Sequence, residues 1–207
     1  MNKVENVLKS KTVIYDFELF FLNNIYDCIE TVNVDLEYLI DSYDEFREKI
    51  YSDFRTVIIN LATAFELLVK FRLEDEHWSL MFSDINKAEK SKLENGNFIS
   101  VDIETGVLRL KRICGLDYNF KNLRKICNYR NCLVHYTLKS ANIIEIIDTI
   151  SKGILEIKKF FENDIYKLLP EEAKKDFKGV LRQLEVNCEN LTVLNMKICK
   201  QGSGSNE

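Results

Sequence analysis

A single proline and seven glycines among 207 residues leave this chain few means of breaking a helix. Proline removes a backbone donor and clashes with the preceding turn, and glycine punctuates turns. A chain so poor in both is constrained to long, uninterrupted helices, and the expected fold class is all-α. Hydrophobic residues make up 46 % and charged residues 30 %, the balance of an ordinary globular protein. The length suits one large domain, or one domain with an appendage.

Apolar periodicity places the helices. From about Val13 to Ile40, residues such as Val13, Phe17, Phe20, Phe21, Tyr26 and Ile29 recur at helical spacings. A second run, about Tyr43 to Phe82, carries Phe54, Ile58, Leu61, Phe65, Leu68 and Leu73. The expected junction is near Asp41-Ser42, with either residue as the N-cap. Residues 83–101 read as a solvated connector, ending at Asp102. Asp102 then caps a short helix carrying Ile103, Val107, Leu110 and Cys114, with Gly115 as its C-terminal cap. A small hairpin about Thr105-Gly106 is the rival reading. A further helix is expected over about Asn119–Leu138, and another over about Ala141–Leu169, with Pro170-Glu171-Glu172 opening the next. The stretch from Leu191 to Cys199 has some strand-like alternation. The expected organisation is a helical domain over 1–170, a helical or mixed extension over 171–200, and a flexible tail over 201–207.

Charge and cysteines narrow the function. The net charge of −4 provides no global basic field, so tight non-specific nucleic-acid binding is disfavoured and any RNA contact must be local. None of the six cysteines forms a C-x-x-C pair, which leaves a zinc ribbon or a thioredoxin-type motif without support. No signal peptide or membrane-length apolar run is visible, so free thiols in a cytoplasmic protein away from membranes are expected. There is no Gly-rich phosphate loop. His77 and His135, the only histidines, have no acidic triad at a recognised spacing. Neither a metal nor a cofactor is expected.

One histidine lies in the run Arg130-Asn131-Cys132-Leu133-Val134-His135, which reads R-N-x-x-x-H inside a helical segment. A guanidinium holds a phosphate with two hydrogen bonds, and an imidazole moves protons near neutral pH. At about 100° per residue, Arg124, Asn128, Asn131 and His135 share a polar stripe. Leu123, Ile126, Cys127, Leu133, Val134 and Leu138 form the opposite, apolar face, and Arg130 falls in its middle. A guanidinium there needs a partner or a wet cleft. Arg130 and His135 diverge by roughly 140°, so a second copy across a two-fold axis would help them share one pocket. Upstream, Glu66, Lys70 and His77 share a helix face. Glu66–Lys70 reads most simply as an i,i+4 ion pair and His77 as packing beside Trp78. The sharper reading lines the cleft of Arg130 with this stripe. Arg124 and Lys125 are either RNA-backbone contacts or an ordinary solvated face.

Long helices with an R-x(4–6)-H motif, often R-N-x-x-x-H, resemble the HEPN superfamily of prokaryotic defence and toxin ribonucleases. Segment 64–82, AFELLVKFRLEDEHWSLMF, is similar to the helix preceding the motif in some HEPN-like proteins. The resemblance covers roughly residues 15–165. In the R-x4-H-x-Tyr subgroup a tyrosine stands two after the histidine; here Tyr136 follows His135 directly and Thr137 takes that place. The resemblance implies a HEPN-like bundle of long antiparallel helices and a metal-independent endoribonuclease leaving 2′,3′-cyclic phosphate and 5′-hydroxyl ends. It assigns proton transfer to His135, phosphate binding to Arg130 and orientation to Asn131. Arg124, Lys125, Asn128 and Tyr136 would contact substrate, with Glu66, Lys70 and His77 in support. The implied partners are RNA, a second subunit, and an antitoxin or defence-system protein. The alternative is a catalytically silent module that binds RNA, nucleotide or protein. A third reading is a structural adaptor in which Arg130 is only an interface residue.

Overall fold

The computed structural model describes residues 2–43, 50–135, 138 and 142–203. The described chain is all-α. Helices α1 (Asn2–Ser42), α2 (Ile50–Glu76), α3 (Lys90–Glu94), α4 (Ile103–Arg112), α5 (Lys121–His135), α6 (Ile143–Phe160) and α7 (Glu171–Ser203) follow one another. Among the described residues, the only β-type pairing is an isolated antiparallel bridge between Phe82 and Ser100. No described helix is long and apolar enough to cross a membrane.

The long helices pack by regular seams. Leu22, Ile25, Ile29, Val32, Leu36, Leu39 and Tyr43 are all buried, spaced alternately by three and four residues as in a coiled-coil seam. Helix α2 is buried on a wider arc, through Phe54, Val57, Ile58, Leu61, Ala62, Phe65, Leu68, Val69 and Leu73. It is the central helix, touching α1, α4 and α5. Asn187 on α7 donates to the Asn33 carbonyl at 3.2 Å, and Gln183 donates to Glu37 at 2.7 Å, so α1 and α7 run antiparallel. Asn33 in turn donates to the Val180 carbonyl at 2.9 Å. Both asparagines are buried, and their satisfied pairing fixes the register of the two helices.

Several boundaries depart from the sequence reading. Asp41 and Ser42 lie inside α1, and the Ser42 hydroxyl donates back to the Tyr38 carbonyl at 2.6 Å instead of capping a new helix. Helix α1 ends at Ser42 and α2 begins at Ile50; residues 44–49 lie outside the described residues. Helix α2 stops at Glu76, short of Phe82, because His77 turns extended and accepts from the Ser79 backbone N–H, opening the 3-10 turn Trp78–Met81. The connector is solvated but structured: α3 lies within it, and Arg109 of α4 donates to the carbonyls of Leu80, Phe82 and Ser83. After α6 the chain passes through a π-helical turn, Phe161–Ile165, and a 3-10 turn, Tyr166–Leu168.

The helix reading of 103–112 holds against the hairpin. Asp102 accepts from the Thr105 N–H at 2.9 Å, and Gly115, at φ +71°, lets the Leu116 N–H reach the Leu110 carbonyl at 3.0 Å. Of the helical and mixed readings left open for the C-terminal stretch, the structure has the helical one. Leu191 and Leu194 are buried three apart on α7, so the alternation noted there is helical. Helix α7 packs on α1 and α6, and its apolar residues belong to the same core. Gln201–Ser203 finish the helix, and 204–207 lie outside the described residues.

Candidate functional site

Helix α5 is set in place by three neighbours. Its N-terminus follows Phe120, held at φ +45° and buried among Phe65, Tyr118 and Phe160, with ring centroids 4.9–5.2 Å away. Its first turn is capped from α6: the Glu156 carboxylate accepts from the backbone N–H groups of Asn122 and Leu123 at 3.2 and 3.0 Å and from the Asn122 amide at 2.7 Å. A carboxylate at the positive end of a helix satisfies donors that would otherwise lack partners. Close approach to α6 is permitted by Gly153, where a Cβ would stand 2.5 Å from Ile126 Cδ1. Replacing Glu156 by alanine is expected to cost about 1–2 kcal/mol, the usual loss for a helix cap. It should also speed amide exchange at Asn122 and Leu123; thermal unfolding and hydrogen exchange of the variant check both.

Only the first half of the apolar face of α5 is buried. Leu123, Ile126 and Cys127 face the core, Leu133 is half-buried and Val134 is 54 % exposed; the helix ends at His135, short of the expected Leu138, which is half-buried beyond it. The helix therefore emerges from the bundle towards its C-terminus. His135, its last residue, is exposed, as are Asn131 and Asn128. Tyr136 lies outside the described residues.

Arg130 stays against the bundle, its side chain 24 % exposed, and pairs with Glu66 of α2, itself 22 % exposed. The expected Glu66–Lys70 pair gives way to this arrangement. Glu66 takes the guanidinium, and the Lys70 ammonium donates to Ser100 Oγ at 3.1 Å. Burial pulls the Lys70 pKa down, the Arg130 charge adds to this, and Glu66 opposes it. Beneath the pair, burial foremost and then Glu66 push the Cys127 thiol up to about 12, which keeps it a neutral thiol at physiological pH. Arg130 Nε is buried without an acceptor.

The remaining expected residues separate. Glu66 and Lys70 join Arg130, but His77 does not share their place: its ring caps Trp78–Met81, lies 2.7 Å from Ser79 Oγ and leans on Trp78. Arg124 pairs with Glu104 of α4, its Nε 2.9 Å from Oε1. Lys125 pairs with Glu145 of α6 at 2.5 Å and lies over the Tyr129 ring. Both are committed to surface ion pairs within the chain. Ser100 and Glu156 were absent from the sequence reading. Glu156 sits on a solvated-looking face of α6, and Ser100 in the connector, so neither bears a local signal.

Chemically, the region offers a guanidinium paired with one carboxylate, an ammonium on a neutral hydroxyl, and an exposed imidazole five residues along α5, about 7.5 Å along its axis. Among the described residues, no three His, Cys, Asp or Glu side chains gather as a group able to hold a metal ion. No family model, curated protein or solved structure matches this chain.

Proposed function

We propose that this chain is a metal-independent, HEPN-type endoribonuclease of an antiphage defence or toxin system. The observation that carries the reading is the placement of R-N-x-x-x-H: Arg130 half-buried in a net positive cluster, His135 exposed on the same helix. In the reaction, the 2′-hydroxyl oxygen of RNA attacks the adjacent phosphorus and the bond to the 5′-oxygen breaks. The products are a 2′,3′-cyclic phosphate and a 5′-hydroxyl. His135 moves a proton, either taking it from the 2′-hydroxyl or giving it to the leaving oxygen. Arg130 binds the phosphate and offsets the charge that develops on it. Asn131, exposed beside His135, orients the imidazole or the phosphate by hydrogen bonding.

The divergence of Arg130 and His135 around α5, and the exposed end of that helix with Val134 on it, support a site completed by a second subunit. Purified protein should then cut RNA in EDTA, and Arg130→Ala and His135→Ala should each be inactive while folded. A mixture of the two inactive variants tests the shared pocket. If Arg130 of one subunit works with His135 of the other, mixed dimers regain one intact site. Undiminished cutting by both variants would sink the reading, and a strictly monomeric protein would sink the shared pocket.

One observation favours a second reading. Glu66 already occupies the guanidinium, as in a helix-packing ion pair. A catalytically silent module would bind RNA, nucleotide or a protein partner without cleavage, and His135→Ala would leave its affinity unchanged.

A further inference from the structure

Two cations and one carboxylate meet where α2, α5 and the Phe82–Ser100 bridge come together. Arg130 crosses from α5 to pair with Glu66, and one turn along α2 the Lys70 ammonium donates to the neutral Ser100 hydroxyl at 3.1 Å. Among the described residues paired here, one carboxylate faces two cations, which leaves the half-buried group an excess positive charge. The nearby carboxylate Glu104 is paired with Arg124 and does not supply the balance. A cation kept from bulk water is costly unless an anion or sufficient hydrogen bonds compensate it. Burial foremost lowers the Lys70 pKa; the Glu66 carboxylate opposes this and the Arg130 guanidinium adds to it. Arg130 Nε also has no acceptor. A guanidinium fork beside a compact ammonium matches a tetrahedral oxyanion.

From this arrangement we infer that Lys70 is the second cationic ligand of an RNA phosphodiester held at Arg130, with Glu66 as the internal counterion that the phosphate competes against. The inference rests on the RNA-phosphate reading of Arg130 and adds two roles to it. Lys70 strengthens binding of the backbone without reading bases. Glu66 keeps Arg130 ordered before RNA arrives and weakens its grip on every phosphate that enters.

The test is binding of a short single-stranded 2′-O-methyl RNA to the full chain across a salt series. This RNA lacks the nucleophilic hydroxyl and is bound without being cut. Lys70→Gln is expected to weaken binding about tenfold, the scale of one charge-assisted hydrogen bond. It should also reduce the slope of log affinity against log salt by about 0.7, the value for one lost phosphate contact on a single strand. Lys70→Arg should restore the slope, and Glu66→Gln should tighten binding several-fold. Lys70→Met, which keeps the aliphatic stem, stands in if Lys70→Gln melts early. Wild-type affinity and slope in Lys70→Gln would overturn the inference. So would equal weakening by Lys70→Gln and Ser100→Ala at an unchanged slope, which would make Lys70 a tether for the connector. Weakening by Glu66→Gln would overturn the counterion role. Inorganic phosphate is the competitor: displacement of RNA from the wild type at lower concentrations than from Lys70→Gln supports a shared oxyanion site. Phosphate that binds without displacing RNA overturns it. Because the probe cannot be cut, binding without cleavage of ordinary RNA counts against the ribonuclease reading alone. Cleavage and binding both unaffected by Lys70→Gln count against this inference alone.

Discussion

Replacing His135 with alanine is expected to slow RNA cleavage by about 10²–10⁴-fold, the range for loss of a positioned proton-transfer group. The melting temperature should hardly move. His135 is the exposed last residue of α5, and its removal opens no buried cavity among the described residues, so a change within about 0.5 kcal/mol is expected. The pairing of a large kinetic effect with a negligible thermal one separates catalysis from folding. Arg130→Ala should behave differently. It too is expected to abolish the proposed cleavage, but it strips Glu66, 22 % exposed, of its partner, so it should also lower stability. Comparing melting curves and single-turnover rates of the two variants checks both statements. Equal rates in His135→Ala and wild type would exclude the imidazole from the chemistry.

The largest effect on stability is expected from Phe160→Ala. Phe160 is fully buried at the end of α6, its ring edge-on to Tyr118 and Phe120 at 5.3 and 5.2 Å. Deleting such a side chain costs about 3–5 kcal/mol in transfer and cavity terms. For a chain of this size the melting temperature should fall by on the order of 10 °C. The damage should concentrate at the start of α5. Phe120 sits at φ +45°, a conformation a bulky residue keeps only when packing enforces it. With Phe160 gone, amide exchange over Lys121–Cys127 should rise more than over α1. Phe160→Leu, which keeps most of the apolar volume, should lose far less. Wild-type melting of Phe160→Ala would mean that the aromatic cluster does not hold α5.

What could be read from the sequence was what is decided locally. The scarcity of proline and glycine is a statement about backbone alone, and it gave the all-α class. Asp102 and Gly115 are likewise local: a short acidic side chain reaches its own third residue, and only glycine takes φ +71° at no steric cost. Ser42 shows the limit, since the same hydroxyl that caps a helix can bond back to Tyr38 inside one. The C-terminal stretch stayed open because Leu191-Thr-Val-Leu fits both periods over so few residues, and only packing against α1 and α6 selects the helix.

The site was half legible. That Arg130 falls on an apolar face and needs a partner follows from helix geometry, and Glu66 and Lys70 stood beside it only in the sharper of two readings, the simpler one being a local ion pair between them. That Glu66 pairs with Arg130 and not with Lys70 was not legible. Glu66 lies four residues from Lys70 but 64 from Arg130, and only the fold brings α2 and α5 together. The local i,i+4 pair is worth a few tenths of a kcal/mol, too little to hold Glu66 against a half-buried guanidinium. The simpler reading of His77, packing beside Trp78, holds, and the cleft-lining reading does not, because the helix that would have carried it into the stripe ends one residue earlier.

The most direct measurement is end-group analysis of RNA incubated with the purified chain in EDTA, beside His135→Ala at equal concentration. The expected result is 2′,3′-cyclic phosphate and 5′-hydroxyl termini from the wild type and intact RNA from the variant. Intact RNA in both, or cuts bearing 5′-phosphates, would contradict a ribonuclease in which the substrate's own hydroxyl is the nucleophile.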